Sequence, residues 1–289
     1  MIPSARVGRL ATPSMLLLPA LVLLVAFRVG PAFVGLSESL FSTKFGPDHG
    51  EFVGLANFAR LFSDPVFQQS LRVTLLFNVV VNPLQTLLAF GLALLLNQRL
   101  PGITALRTIM LIPIAISLNI SSAIWLIMYD PGGLFNGMLT SLGLPAQPFL
   151  LDPGQALWSI AALASWVGVP LWSLFFLAGL QGISADVDEA ATVDGAGRWQ
   201  RLRFITVPLL KPVFVFVLAS ATVANFLLFV PVLLMTQGGP QLSTNLLMHE
   251  AYRRGLVFGD TGLGSAMVVL LMILAGIAVS VTLRTGRNR

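Results

Sequence analysis

Six stretches of this sequence, 11–33, 73–96, 108–129, 156–180, 213–235 and 263–283, run almost without charge for the length of a membrane crossing. A helix needs about 20 apolar residues to span the hydrocarbon core. Inside lipid every backbone polar group must pair within its own segment, which an α-helix achieves. The pattern predicts an all-α polytopic membrane protein with six transmembrane helices. Arg28 is the one formal charge within the six, close enough to a helix end for its long side chain to reach the headgroups. The chain is 56% hydrophobic and 10% charged, against about 25% charged in a soluble domain. Lipid is its main solvent.

The basic balance, +5 with a pI near 10.7, does not indicate a nucleic-acid partner. The cations are scattered between apolar runs and gather on no polar face. They report topology instead. An even number of spans puts both termini on one side, and 11 of the 17 basic residues with four of the 12 acids fall there. The cytoplasmic side of a membrane protein carries the excess of Lys and Arg, so both termini are expected in the cytoplasm. The first apolar run lacks a small-residue cleavage site and reads as a retained helix. With no cysteine, disulfides, thiolate metal sites and Cys nucleophiles are excluded.

The segments between spans narrow the chemistry further. Residues 131–151 hold Pro131, Pro145 and Pro148 with four glycines, a density of breakers that predicts an external loop. Phe52, Leu55, Phe58, Leu61 and Phe62 recur at helical spacing, with Asn57, Arg60 and Ser63 between them. They predict a short amphipathic helix at the outer interface or against the bundle. His49 and His249 fall in external segments without metal or dyad spacing and read as solvated; no metal site is expected. A phosphate-binding loop ends in Lys-Ser/Thr, whereas the two lysines, Lys44 and Lys211, precede Phe and Pro. This chain has no such ATP site and no candidate catalytic residue. The spans contain no Asp, Glu, Lys or His, the groups with which ion-coupled carriers work.

The long cytoplasmic loop, 181–212, carries the most pattern. Ser184 can cap a short helix whose first turns hold Asp186, Asp188 and Glu189, favourable beside the positive helix end. Gly195 and Gly197 break that helix, and a basic amphipathic piece follows up to Pro208 and Pro212, which open the next span. Such an elbow can dock a soluble partner or merely connect two spans.

The residues resemble the EAA loop of ABC importer permeases. Glu189-Ala190-Ala191, Gly195, Ile205 and Pro208 stand at that family's spacing, with Val207 in place of the usual Leu and Val187-Asp188 where Leu-Tyr is common. Asp194-Gly195-Ala196 with Trp199-Gln200 is similar to the carbohydrate branch. Phe52 to Asn57 with Leu61 to Pro65 resembles the family's segment before the second span, Leu94 to Asn97 resembles the end of that span, and Thr236 to Pro240 is similar to the maltose-F/glycerol-phosphate-A side of the permease pair. The resemblance implies a type I ABC importer permease fold, with 1–72 as N-terminal helix and external segment and 73–283 as the core. It implies a second, homologous permease, two ATPase subunits that bind ATP and Mg, and an extracytoplasmic binding protein. The setting would be a bacterial or archaeal inner membrane. Glu189, Ala190, Ala191, Asp194, Gly195 and Ala196 would form the piece seated on an ATPase. A passive channel or a membrane scaffold is the competing reading; a channel leaves the elbow unexplained, and a scaffold is favoured only if ATPase subunits fail to co-purify.

Sugars are held by hydroxyl-directed hydrogen bonds and aromatic faces. Trp166, Gly168 and Trp172 in the fourth span, Thr222, Asn225 and Phe229 in the fifth, and Asn119 and Ser122 in the third are the candidates for a solute path. By resemblance, Gly168 and Asn225 lie where maltose-type permeases line their cavity. Interhelical hydrogen bonding would account for each polar residue equally well. Pro19, Pro83, Pro113, Pro170 and Pro231 place one proline in each of the first five spans, and kinks are expected there.

Overall fold

The structure, a computed structural model, describes residues 17–42, 50–98 and 100–287, without the side chains of Asp188 and Arg287. The start of the first span, with Arg6 and Arg9, lies outside the described residues, as do Lys44, His49, Arg99 and Arg289. Among the described residues the regular structure is helical, apart from one bridge between Phe41 and Phe52.

Helix α1 is Leu17–Glu38, α2 is Ala56–Ser63 and α3 is Pro65–Leu96. Then come α4 (Ile103–Ala115), α5 (Leu118–Met128), α6 (Leu134–Ser141) and α7 (Ala156–Gln181). The elbow follows as α8 (Ala185–Val193) and α9 (Arg198–Leu209), leading into α10 (Lys211–Phe226). Helix α11 is Leu247–Tyr252 and α12 is Thr261–Arg287. Among the described residues four helices, α1, α3, α7 and α12, are long and apolar enough to cross a membrane, and up to six spans result if α4–α5 and α9–α10 each count as one.

The chain divides into two compact units. The first comprises Met1–Phe62 and Ala251–Leu270. Along its α1 the apolar side chains from Leu17 to Phe27 stay exposed, a surface suited to lipid or another chain. The amphipathic segment forms as α2, but its polar residue Asn57 is buried while Phe52, Leu55 and Phe62 are exposed. The reason is local. The Asn57 amide donates to the carbonyls of Ser39 and Phe41, each at 2.9 Å, tying down the turn that leaves α1. Asn57→Leu should therefore destabilise the protein by about 1–3 kcal/mol, the cost of stranding buried carbonyls. Thermal unfolding in detergent measures this, and an unchanged midpoint would contradict it.

The second unit, Ser63–Glu250 with Leu271–Arg289, is a helical bundle. Helices α3 and α7 make its most extensive contact, α10 packs on both, and α4 lies on α7. Asp64 caps α3 by accepting from the Val66 amide at 2.8 Å, and Pro65 occupies the first turn, where no amide donor is missed. At the far end the Arg107 guanidinium donates twice to the Leu96 carbonyl. Phe77, Val81, Ile160 and Val232 belong to one apolar cluster; Ala89, Phe176, Val217 and Ala221 belong to another.

Three expectations change. The third span is a bent pair: α4 and α5 meet at 98°. Ile116 is extended and Ser117 starts α5 afresh, capping the Ile120 amide. The fifth span is interrupted: α10 stops at Phe226, residues 227–229 leave the helix, and coiling resumes at Val230 into a π-turn, Val232–Thr236. Pro231 stands in the first turn of the resumed helix, where no amide donor is missed. By contrast Pro83 and Pro170 sit inside continuous α3 and α7. The loop 131–151 contains α6, because all of its breakers except Gly137 lie at the two ends, and a single interior glycine costs a helix only about 1 kcal/mol. Asn136 then closes the loop, donating to the Gln147 carbonyl and accepting from its amide.

Candidate functional site

The elbow is built by two helix ends. Ser184 Oγ accepts from the Asp186 amide at 3.3 Å and starts α8. At the other end the Ala196 amide reaches the Ala191 carbonyl at 2.9 Å and the Gly195 amide reaches that of Thr192 at 3.1 Å. This double closure requires a left-handed residue between its bonds, and Gly195 supplies it at φ +78°. The Ala191-to-Gly195 spacing is thus a helix stop. Gly197 opens α9, its amide donating to Gln200 Oε1 at 2.8 Å, and Arg201 Nη1 donates to Thr192 Oγ1 at 3.0 Å across the two arms.

Glu189, Ala190, Asp194 and Gly195 are exposed, Ala196 is half-buried and Ala191 is buried. The elbow also exposes large apolar side chains: Val193 at 88%, Trp199 at 70% and Phe204 at 68%. Exposed apolar surface rimmed by charge is a docking feature. Val193 and Phe204 are functional candidates that sequence reasoning missed. The signal was present, two apolar residues in a segment read as cytoplasmic.

Deeper in the second unit a polar seam runs along α3. Ser70, Thr74, Asn78, Asn82, Gln85 and Thr86 are all buried, at the three- and four-residue spacing of one helix face. Asn82 is its hub, donating to Asn78 Oδ1 and Thr222 Oγ1, both at 3.1 Å, and accepting from Asn225 Nδ2 at 2.6 Å. Asn225 donates also to Gln85 Oε1 at 3.0 Å, and Gln85 donates to Ser165 Oγ at 3.3 Å. Toward its N-terminal end α3 receives residues 245–250. Asn245 Nδ2 bridges Ser70 Oγ and Glu250 Oε2, and His249 Nδ1 lies 2.7 Å from Asn245 Oδ1.

His249 was expected in solvent and is instead 1% exposed, as is Glu250. The segment folds back onto α3 because Asn245 and the Leu247 amide find partners there. Nothing in the local sequence of 245–250 announces that, since the partners lie on α3.

The seam gathers some candidate path residues and not others. Thr222 and Asn225 are members. A Cβ on Gly168 would lie 3.2 Å from Trp172 Nε1 and 3.6 Å from the Gln85 amide, so Gly168, Trp172 and Gln85 share one corner. Trp166 stands in a separate aromatic cluster, 5.7 Å from Trp125. Phe229 stacks loosely near His249 at 6.3 Å. Asn119 is exposed, whereas Ser122 is buried and donates to the Leu118 carbonyl, so the third-span pair does not converge. Two open cavities lie elsewhere in this unit. One of about 630 Å³ is lined by Tyr129, Asp130, Met235 and Pro240, and one of about 530 Å³ by Trp125, Phe135 and Phe149.

The chain is similar to known proteins over nearly its full length. The trehalose/maltose transport system permease protein MalF of Thermococcus litoralis is 37% identical over 280 residues, 95% of this chain and 93% of that one. The sn-glycerol-3-phosphate transport system permease protein UgpA of Brucella suis is 37% identical over 266 residues, 90% and 89% of the two chains. Among solved structures, a chain of a bacterial alginate ABC transporter, in complex with an alginate pentasaccharide-bound periplasmic protein, superposes with a TM-score of 0.86. The two are 22% identical, and the match covers 98% of this chain and 96% of the other. The fold is that of a type I ABC importer permease. Residues 10–285 match the family of binding-protein-dependent transport system inner membrane components, and the chain belongs to that family.

Proposed function

We propose that this chain is one membrane-spanning subunit of an ATP-driven importer for a di- or oligosaccharide or a glycerol-phosphate-type solute. The observation that carries the reading is near-full-length similarity to the trehalose/maltose and glycerol-3-phosphate permeases. A second homologous permease completes the path, and an extracytoplasmic binding protein delivers the solute. Two ATPase subunits bind ATP and Mg, and this chain carries neither cofactor nor catalytic group. Its apolar elbow face, Val193, Trp199 and Phe204 around Glu189–Ala196, seats on one ATPase. Residues 73–283 act as the translocating core, with 1–72 accessory to it.

The test is to isolate the chain with its neighbours and measure ATP hydrolysis with binding protein loaded with maltose, trehalose or glycerol 3-phosphate. ATPase subunits should co-isolate, and one loaded form should stimulate hydrolysis. A chain that isolates without any ATPase and moves solute down its gradient would overturn the reading in favour of a passive channel.

Orientation has its own test. On this reading both termini and the elbow face the cytoplasm across a bacterial or archaeal inner membrane, which follows from the excess of basic residues on that side. Because the natural chain lacks cysteine, single cysteines at the exposed positions Ser184, Thr285 and Gln241 report sidedness directly. An impermeant thiol reagent on intact cells should label position 241 alone. Labelling at 184 would invert or break the topology.

A further inference from the structure

Two glycines hold the first turn of α10. A Cβ on Gly179, in the last turn of α7, would lie 2.8 Å from Leu210 Cδ2 and 2.9 Å from Val213 Cγ2. A Cβ on Gly286, near the end of α12, would lie 2.5 Å from Val215 Cγ2 and 3.1 Å from its Cγ1. Carbon atoms in ordinary contact sit about 3.5–4.0 Å apart, so neither site has room for even a methyl group. Val213 and Val215 are two positions apart, about 200° around a helix. The two glycines therefore press on opposite faces of the same turn. Both valines are β-branched and cannot swing aside, because χ1 in a helix has one strongly preferred state.

This turn lies immediately after the elbow. Helices α9 and α10 meet at 65° through the single residue Leu210, which is 2% exposed. Left unsupported, such a joint would flex, and displacement of the elbow would bend it without moving the membrane helix. We infer that Gly179 and Gly286 are positioning residues. They form a socket that clamps the base of α10 to α7 and α12, so that elbow motion is delivered to three helices together. The inference rests on the elbow's docking to an ATPase, and touches neither solute nor nucleotide.

The test uses the assembled complex and two single-cysteine reporters in this cysteine-free chain. One environment-sensitive fluorophore sits at Ala185, at the start of α8 and outside the apolar docking face, the other at Val223 on α10 beyond the socket, both exposed positions. In the parent complex ATP binding should change both signals. In Gly179→Ala the Ala185 response should persist, while that at Val223 falls about fivefold or more, a typical scale for coupling between sites. Gly179→Ala with Val213→Ala should restore it by returning the missing space, a rescue that a general loss of stability would not show. Should Gly179→Ala fail to assemble, Gly286→Ala, alone and with Val215→Ala, asks the same question on the opposite face. An undiminished Val223 response in an assembled glycine variant overturns the socket, and so does a lost response that the compensating alanine does not recover. No response at Ala185 in the parent would sink the docking reading itself, and the socket with it.

Discussion

Glu189→Lys or Gly195→Arg should cut solute uptake by about two orders of magnitude, near the upper end of coupling between distant sites. The chain itself should still reach the membrane. Glu189 is exposed on α8, and substitutions at such positions usually cost within about 0.5 kcal/mol. Gly195 has open space around it, nothing within 4 Å of an added Cβ, so the damage from Arg is not steric within this chain. It comes from forcing a left-handed residue, at a cost of about 1–2 kcal/mol, and from bulk on the docking face. These two causes can be separated. Gly195→Asn keeps a residue that tolerates φ > 0 and should retain most uptake, whereas Gly195→Val should not. Uptake with ATP hydrolysis measured in parallel decides the matter. Normal uptake in both Glu189→Lys and Gly195→Arg would end the docking hypothesis.

The second large effect is expected at the seam. Asn82→Leu removes three hydrogen bonds at once and leaves Asn78 and Thr222 without that partner. Interhelical hydrogen bonds in membrane proteins average about 0.6 kcal/mol and reach about 1.7, so the loss should total about 2–4 kcal/mol and lower the unfolding temperature. Asn225→Ala removes two bonds and should act mainly in the same way, with uptake per assembled complex nearly unchanged. Measuring thermal stability beside transport separates the alternatives. A collapse of uptake at unchanged stability would reassign Asn225 to the solute path.

Helix content and the elbow were legible because their signals are local. Apolar length announces a span, and Ser184 marks a helix end through its hydroxyl, Gly195 and Gly197 through their backbones. The interruptions were not legible, since Pro83, Pro113, Pro170 and Pro231 look alike in sequence. Pro83 and Pro170 sit within the closely packed α3–α7 pair, and their helices continue. At Ser117 a side-chain cap makes the break favourable. The seam was half legible. Asn225 and Thr222 stood out as polar residues in an apolar span, but their partners on α3 were passed over. His249 was misplaced for a related reason: its burial is decided by Ser70 and Thr74, about 175 residues earlier in the chain.

The hydroxyls on α3 also bear on how the molecule enters the membrane. Ser70 Oγ donates to the Val66 carbonyl, Thr74 Oγ1 to that of Ser70, and Thr86 Oγ1 to that of Asn82, each one turn back. The Asn78 amide does the same toward Thr74. Every one of these protons is satisfied by the helix that bears it. A newly made α3 can thus partition into lipid before its neighbours exist, without stranding those donors in hydrocarbon. What stays open on Ser70 and Thr74 is acceptor capacity, and Asn245 and the Leu247 amide, synthesised about 175 residues later, are the donors that fill it. The order of translation and the polarity of each hydrogen bond agree: the early helix waits as an acceptor, and the late segment arrives as a donor.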